Sequence, residues 1–315
     1  ILVIGFRITQ AWIPRLSNDP ARPSLLKNAP AWLGIAIGHG IARLPWSFYK
    51  PLAWLLARLM RLAMRERGHI ARVNIGLCFP DMDRAGREKL WRASFDSMAF
   101  SLFEFARGWW GELRETDKRT PVEGLEHLHA ALARGKGVIL VSAHLTTLEY
   151  CNKMLCHHQP VAGMYRPFDN AAFEWSVRNG RLRHASGMFP RGELRPVLRH
   201  LKSDGILWFA PDQETRRGDS VFVPFFGRPA WSLTSTHQLA KLSGAAVLPF
   251  FHERLPDGSY RLEIGPALEN FPSDDATADT ARVMQLFEQM IRRCPEQYLW
   301  VHARFKRQAD GKNPY

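Results

Sequence analysis

Cysteine is scarce in this 315-residue chain, with only Cys78, Cys151, Cys156 and Cys294. None of their spacings matches a zinc or redox motif, so no metal site is expected, and a reducing, cytoplasmic setting fits best. No histidine is placed to activate a cysteine in a known motif, which argues against thiol catalysis. Neither standard glycine-rich phosphate loop occurs, and no cofactor is expected. The G-x-S-x-G elbow of serine hydrolases is missing too, so no acyl-serine intermediate is expected. Internal repeats and low-complexity tracts are absent. Long apolar runs are also wanting. Ile1–Phe6 is too short to span a bilayer, prolines at 14, 20, 23 and 30 break up the first thirty residues, and the apolar stretch 31–49 carries His39, Arg43 and Pro45. An embedded or interfacial anchor is therefore expected over residues 1–50 in place of a clean spanning helix.

Negative charge is in deficit. Thirty acidic residues face 43 basic ones, a formal net charge of +13. Such a surplus favours an anionic partner: nucleic acid, an acidic membrane surface, an acidic carrier protein or a phosphorylated substrate. Residues 51–75 place some of it. Leu52, Leu55, Leu56, Leu59, Met60 and Ala63 follow a helical period, with Arg58, Arg61, Arg65 and Arg72 nearly opposite, a basic amphipathic helix suited to an anionic membrane. Arg58, Arg61 and Arg65 are the candidate membrane contacts. Residues 84–107 read as another helix, followed by Trp109 and Trp110.

From about residue 121 the pattern alternates. Strands are predicted at 137–143, 161–165, 206–210, 221–225, 245–251 and 259–264. Helices are predicted at 123–134, 146–157, 171–184, 193–203, 232–242 and 277–293. This is an α/β fold with a mixed, mostly parallel sheet flanked by helices. Asp257-Gly258 reads as a hairpin turn that makes one pair antiparallel. The expected organisation is an N-terminal membrane-associating segment at 1–50, a basic helical region at 51–120, an α/β catalytic domain at 121–307 and a tail at 308–315.

Sites in α/β sheets gather where strands end. His144 follows the run Gly137–Val141, with Glu149 five residues later. An imidazole takes a proton from a hydroxyl near neutral pH, and a carboxylate steadies the cation that forms. Arg166, Asp212, Gln213 and Arg254 stand at later strand ends, and Arg178, Arg181, Arg183, Arg191, Arg195 and Arg199 crowd between them. Singly, each has a bland alternative: a hydrogen-bonded structural histidine, a capping aspartate, a solvated arginine face.

The ordered set resembles the lysophospholipid acyltransferase superfamily, and within it the bacterial lipid A late (lauroyl/myristoyl) acyltransferases. His144-x4-Glu149 is similar to their first block, Tyr165-Arg166-Pro167 through Arg181 to the second, and Pro211-Asp212-Gln213 with Val221–Gly227 to the third. Ala246–Phe250 and Pro295–Lys306 complete the likeness, and Asn74–Pro80 is similar to an upstream helix. The likeness runs from about residue 30 to 307. It departs from the family at Ala303, where a basic residue is common. The resemblance implies transfer of a fatty acyl chain from acyl carrier protein to a 3-hydroxyacyl hydroxyl of a lipid A precursor at the cytoplasmic face of the inner membrane. It implies His144 as general base with Glu149 orienting it, Arg181 and then Arg166 as oxyanion donors, and Asp212 organising those arginines. Arg178, Arg195, Arg199, Gln213 and Arg254 become candidates for binding substrate phosphate, with Arg195 and Arg199 also candidates for the carrier protein. Phe222, Phe225 and Phe226 are candidates to line an acyl tunnel, against core packing. A lysophosphatidic acid acyltransferase has the same pair, but the Pro-Asp-Gln and Pro-Glu-Gln-Tyr blocks favour lipid A. A basic nucleic-acid-binding protein is the reading from another class, and no helix-turn-helix, zinc spacing or RNA-binding motif supports it.

Overall fold

The computed structural model describes residues 21–214, 218–308 and 311–315, so the apolar start Ile1–Phe6 lies outside the described residues. The first third is helical: α1 (Ala29–Arg43), α2 (Tyr49–Ala63), α3 (Arg65–Cys78), α4 (Arg84–Trp110) and the one-turn α5 (Glu115–Lys118). Then come β1 (Val122–Glu123), α6 (Leu125–Leu132), β2 (Val138–Val141), α7 (Leu148–His158), β3 (Ala162–Tyr165) and α8 (Ala171–Arg181). The chain continues through β4 (Gly187–Pro190), α9 (Leu194–Lys202), β5 (Ile206–Phe209), β6 (Ser220–Phe225) and β7 (Arg228–Leu233). It ends with α10 (Ser235–Ser243), β8 (Ala246–Arg254), β9 (Tyr260–Ile264) and α11 (Ala276–Arg293).

The main sheet has seven strands in the order β1-β9-β8-β2-β5-β3-β4. All neighbours are parallel except β8 and β9, joined at the expected Asp257-Gly258 turn. The mixed, mostly parallel sheet is thus present. Its central strands are apolar throughout because both faces are covered, as parallel strands require. On one face α7 packs Tyr150, Cys151 and Met154 against Val138, Leu140 and Ile206. On the other, α9 and α11 pack Val197, Leu201 and Phe287 around Ile139, Val141 and Leu207.

Several elements differ from expectation. The two-residue β1 and the edge strand β4 are too short to show an alternation. β6 pairs with β7 in a separate antiparallel hairpin outside the main sheet, and β7 takes the start of the helix predicted at 232–242. The helix read over 51–75 is two helices, broken at Met64.

α2 packs by a narrow stripe of mostly small residues and leaves most of its leucines outside. Its buried positions are Tyr49, Ala53 and Ala57, while Leu52, Leu55, Leu59 and Leu62 face solvent. Small alanines let α4 approach closely. Arg61, expected on the outer face, folds against α4 with its side chain 18% exposed and bonds the surface residue Asp96 at 2.7 Å. Arg58 lies over the Trp54 ring, 3.3 Å from its centroid, and Arg65 is exposed. Among the described residues no helix is long and apolar enough to cross a membrane.

Candidate active site

Register brings the central residues together. β2 and β5 are parallel neighbours with Val141 opposite Phe209. His144 and Asp212 each lie three residues past that pair, so both loops deliver their side chains to one point. The His144 Nδ1–H donates to Asp212 Oδ1 at 2.5 Å, the tautomer following from the carboxylate being the acceptor. Asp212 Oδ2 accepts from the His144 backbone N–H at 3.2 Å and from the Tyr298 hydroxyl at 3.0 Å. Asp212 is fully buried. Burial opposes its ionisation, but His144 and these hydrogen bonds outweigh it, and its pKa is lowered. Burial likewise opposes a charged His144, yet the Asp212 carboxylate prevails and raises the imidazole pKa above 6.5.

The carboxylate on His144 therefore belongs to Asp212. Glu149, expected to orient the ring, instead grips Arg181 in a two-pronged ion pair, Nε to Oε2 at 3.1 Å and Nη2 to Oε1. No hydrogen bond joins Glu149 to His144 among the described residues. Asp212, expected to organise arginines, bonds neither Arg166 nor Arg181. Arg181 sits at the end of α8, which approaches α4 closely because residue 180 is glycine: a Cβ there would come 2.4 Å from the Trp109 carbonyl oxygen. Burial lowers the Arg181 pKa, but Glu149 overcomes this and the net shift is upward. Its Nη1 is buried without a hydrogen-bond partner.

His144, Glu149 and Arg181 open into a cavity of about 230 Å³. Its lining includes Leu148, Asn152 and Cys156, one turn apart along α7, and it follows β3 from Val161 to Tyr165. Met188, Trp208, Ala185 and His184 close the other sides. At 1.5 Å per residue the α7 stripe alone covers about 12 Å. Cys156 and His184 are shared with a second cavity lined by Lys118, Lys153, His157 and Arg183. An apolar channel thus runs from a polar mouth to a charged back wall.

The loop bearing His144 is braced from behind. Arg254, expected to bind phosphate, is buried there: it pairs with Glu104 at 2.7 Å and donates to Ser97 Oγ at 2.9 Å. Ser97 in turn bonds Thr146 at 2.8 Å. Arg254 is unavailable to substrate because the α4 carboxylate holds it inside. Phe225 and Phe226 are core residues beside Trp300 and Phe305, and Phe222 packs on Trp231, so none of the three lines the channel. Arg166 is exposed at the mouth and pairs with Asp169 at 2.8 Å. Gln213 and Arg178 lie outside the lining, and Arg195 and Arg199 are on the exposed face of α9. Sequence reasoning quoted both Tyr298 and Asn74 within blocks but gave neither a role. Asn74 Nδ2 donates to the Trp300 and His302 carbonyls at 2.6 and 2.7 Å, tying α3 to the segment that carries Tyr298.

A half-buried, carboxylate-backed histidine, a spare guanidinium donor and an apolar channel form one continuous site. A sequence model described as "Bacterial lipid A biosynthesis acyltransferase" matches residues 21–307. The chain belongs to that family. It is an acyltransferase, which removes the nucleic-acid-binding alternative. It is 36% identical over 282 residues to the lipid A biosynthesis lauroyltransferase of Escherichia coli K12, covering 89% of this chain and 92% of that protein. It is also 36% identical over 284 residues to that organism's lipid A biosynthesis palmitoleoyltransferase, covering 90% and 92%. Identity to the E. coli lipid A biosynthesis myristoyltransferase is 27% over 299 residues, covering 90% of each. The acyltransferase carries the expected His144, Glu149 and Arg181 in one place, and adds Asp212 and Tyr298 as the support of the imidazole.

Proposed function

We propose that this acyltransferase moves a fatty acyl chain from acyl carrier protein to the hydroxyl of a 3-hydroxyacyl group on a lipid A precursor. The observation that carries the reading is the opening of an apolar channel directly at the His144–Asp212 pair. The names of the relatives support the acceptor class. The acyl chain lies in the channel between α7 and β3, with its thioester carbonyl at the mouth. His144 Nε2 takes the proton of the acceptor hydroxyl as its oxygen attacks that carbonyl. Asp212 stabilises the imidazolium. The tetrahedral oxyanion accepts from Arg181 Nη1, the donor left free by Glu149. Collapse breaks the carbon–sulfur bond, His144 returns the proton to the departing thiolate, and the ester is formed with no acyl-enzyme.

The enzyme works at the cytoplasmic face of the inner membrane in this reading. The exposed Leu33 and Ile37 of α1 and Leu52, Leu55, Leu59 and Leu62 of α2 support it, since so many exposed large apolar side chains on two adjoining helices suit a lipid surface. The decisive experiment is mass spectrometry of lipid A from a strain lacking this protein. The expected result is a species lighter by one acyl group, restored by the wild-type gene; unchanged lipid A refutes the assignment.

Arg181 has a separate signature. Arg181→Gln should lower kcat about 10²- to 10³-fold, the usual cost of an oxyanion donor. It also strands the buried Glu149, so the folded state loses stability. Adding Glu149→Gln removes that charge and should recover the melting temperature without recovering kcat. Recovery of both would assign Arg181 a structural role alone.

A further inference from the structure

The face of α9 that begins at the mouth of the channel is unpaired and cationic. Arg195, Arg199 and Lys202 recur at steps of four and three residues along α9, Arg191 lies in the turn just before it, and all are exposed. None has an acidic partner among the described residues. Arg61, Arg72, Arg92, Arg114 and Arg293, by contrast, are all ion-paired elsewhere in the chain. The two acids within or beside this stretch, Glu193 and Asp204, bond none of the four cations. The opposite side of α9 is firmly seated through Val197 and Leu201, so the charged face is held rigid. Leu194, 44% exposed, adds an apolar contact in the first turn.

Position relates this face to the chemistry. β3 and β4 are parallel neighbours with Tyr165 opposite Pro190. The Arg191 backbone N–H donates to the Tyr165 carbonyl at 2.7 Å, and Tyr165 and Arg166 line the mouth. The cationic face therefore starts beside the opening and leads away from it down the edge of the sheet. It lies on the sheet face opposite α7, while α1 packs against α8 on the α7 side.

We propose that Arg195, Arg199 and Lys202 on α9, with Leu194 among them and Arg191 in the turn just before the helix, form the docking surface for the acidic carrier protein that delivers the acyl chain. This inference rests on the carrier-protein donor proposed above. An acidic helix laid along α9 pairs with all four cations, and its flexible acyl-bearing arm reaches the mouth past Tyr165. The lipid acceptor arrives from the apolar side of α1 and α2, so the two substrates approach from different directions. Phospholipid headgroups are the competing anion. A docked protein is favoured because the cations form a ridge over a well-packed helix, apart from the exposed apolar side chains.

The test compares the full-length wild type with Arg195→Glu/Arg199→Glu on two donors, acyl carrier protein and a short acyl-pantetheine thioester. The variant should raise KM for the carrier donor about tenfold at low salt, with kcat kept, because rim charges act mainly on encounter. Its rate should depend less on salt than that of the wild type. Transfer from the pantetheine thioester should be unchanged, which also reports an intact fold and site. An unchanged carrier KM, or an equal loss with both donors, overturns the docking surface. So does a variant that loses binding to anionic phospholipid vesicles while its carrier KM stays put. A wild type that uses the pantetheine thioester but not the carrier protein overturns the donor reading itself, and the docking surface with it.

Discussion

His144→Ala should fold normally and transfer acyl chains about 10⁴-fold more slowly than the wild type. The magnitude follows from the arrangement of the ring. Its Nδ1 is committed to Asp212, leaving Nε2 as the acceptor that faces the channel mouth. No cysteine replaces it, since Cys78, Cys151 and Cys294 are buried and burial also pushes the Cys156 thiol up to about 12. With the base gone, Arg181 and the channel still hold the thioester, so a residual rate above background is expected. The check is single-turnover transfer by purified protein, with circular dichroism to confirm the fold. Near wild-type turnover in a folded variant would sink general-base catalysis by His144.

Asp212→Asn should cost about 10³- to 10⁴-fold in kcat, although it changes one atom. A carboxylate can only accept from Nδ1, which keeps the proton there and Nε2 free. An asparagine amide can donate to Nδ1 and so favour the tautomer with Nε2 protonated, which cannot take a proton. The pH profile gives a second readout. The base must be neutral, so activity rises with pH through the His144 pKa. Asp212 holds that pKa above its ordinary value despite burial, placing the acidic limb of the wild type above about 6.5. Without the carboxylate, burial acts alone and the pKa falls, so the limb of the residual activity should move to lower pH. A limb that stays in place would mean that Asp212 does not set the charge of His144. Glu149→Gln should leave the limb nearly where it is, because Glu149 touches Arg181 and not the ring.

Much of this site was legible in the sequence, and the rest was hidden for physical reasons. The run Gly137–Val141 had to be a buried strand, and a histidine just past it had to stand near a sheet end. Glu149 stood out by its spacing from His144 and Arg181 within an arginine-rich stretch, and the resemblance implied the oxyanion role of Arg181. The pairing of His144 with Asp212 depends on β2 and β5 being neighbours in register, which a sequence separation of 68 does not reveal. Equal offsets beyond two strand ends were visible, but only adjacency gives them meaning. Arg61 and Arg254 misled for one shared reason: a guanidinium at the rim of a helix or strand folds against α4 when a carboxylate waits there, as Asp96 and Glu104 do. Helical periodicity found the leucine stripe of α2, which is exposed, but not the Tyr49, Ala53 and Ala57 stripe that packs on α4, because small residues carry little periodic signal. The channel was illegible altogether, since its walls come from α7, β3 and β5 and from the loop after α8.

The far end of that channel has a consequence of a different kind. Cys156 stands two turns of α7 beyond Leu148, with His184 from the loop after α8, and the cavity beyond them is lined by Lys118, Lys153 and Arg183. A hydrocarbon seated there meets ionic surroundings at its tip, so an overlong chain is penalised by lost burial as well as by collision. The chemistry occupies the other end of the same helix. In the proposed reading, one substituted side chain at the back wall would change the length of chain that fits, while the bond-making residues at the other end stay as they are.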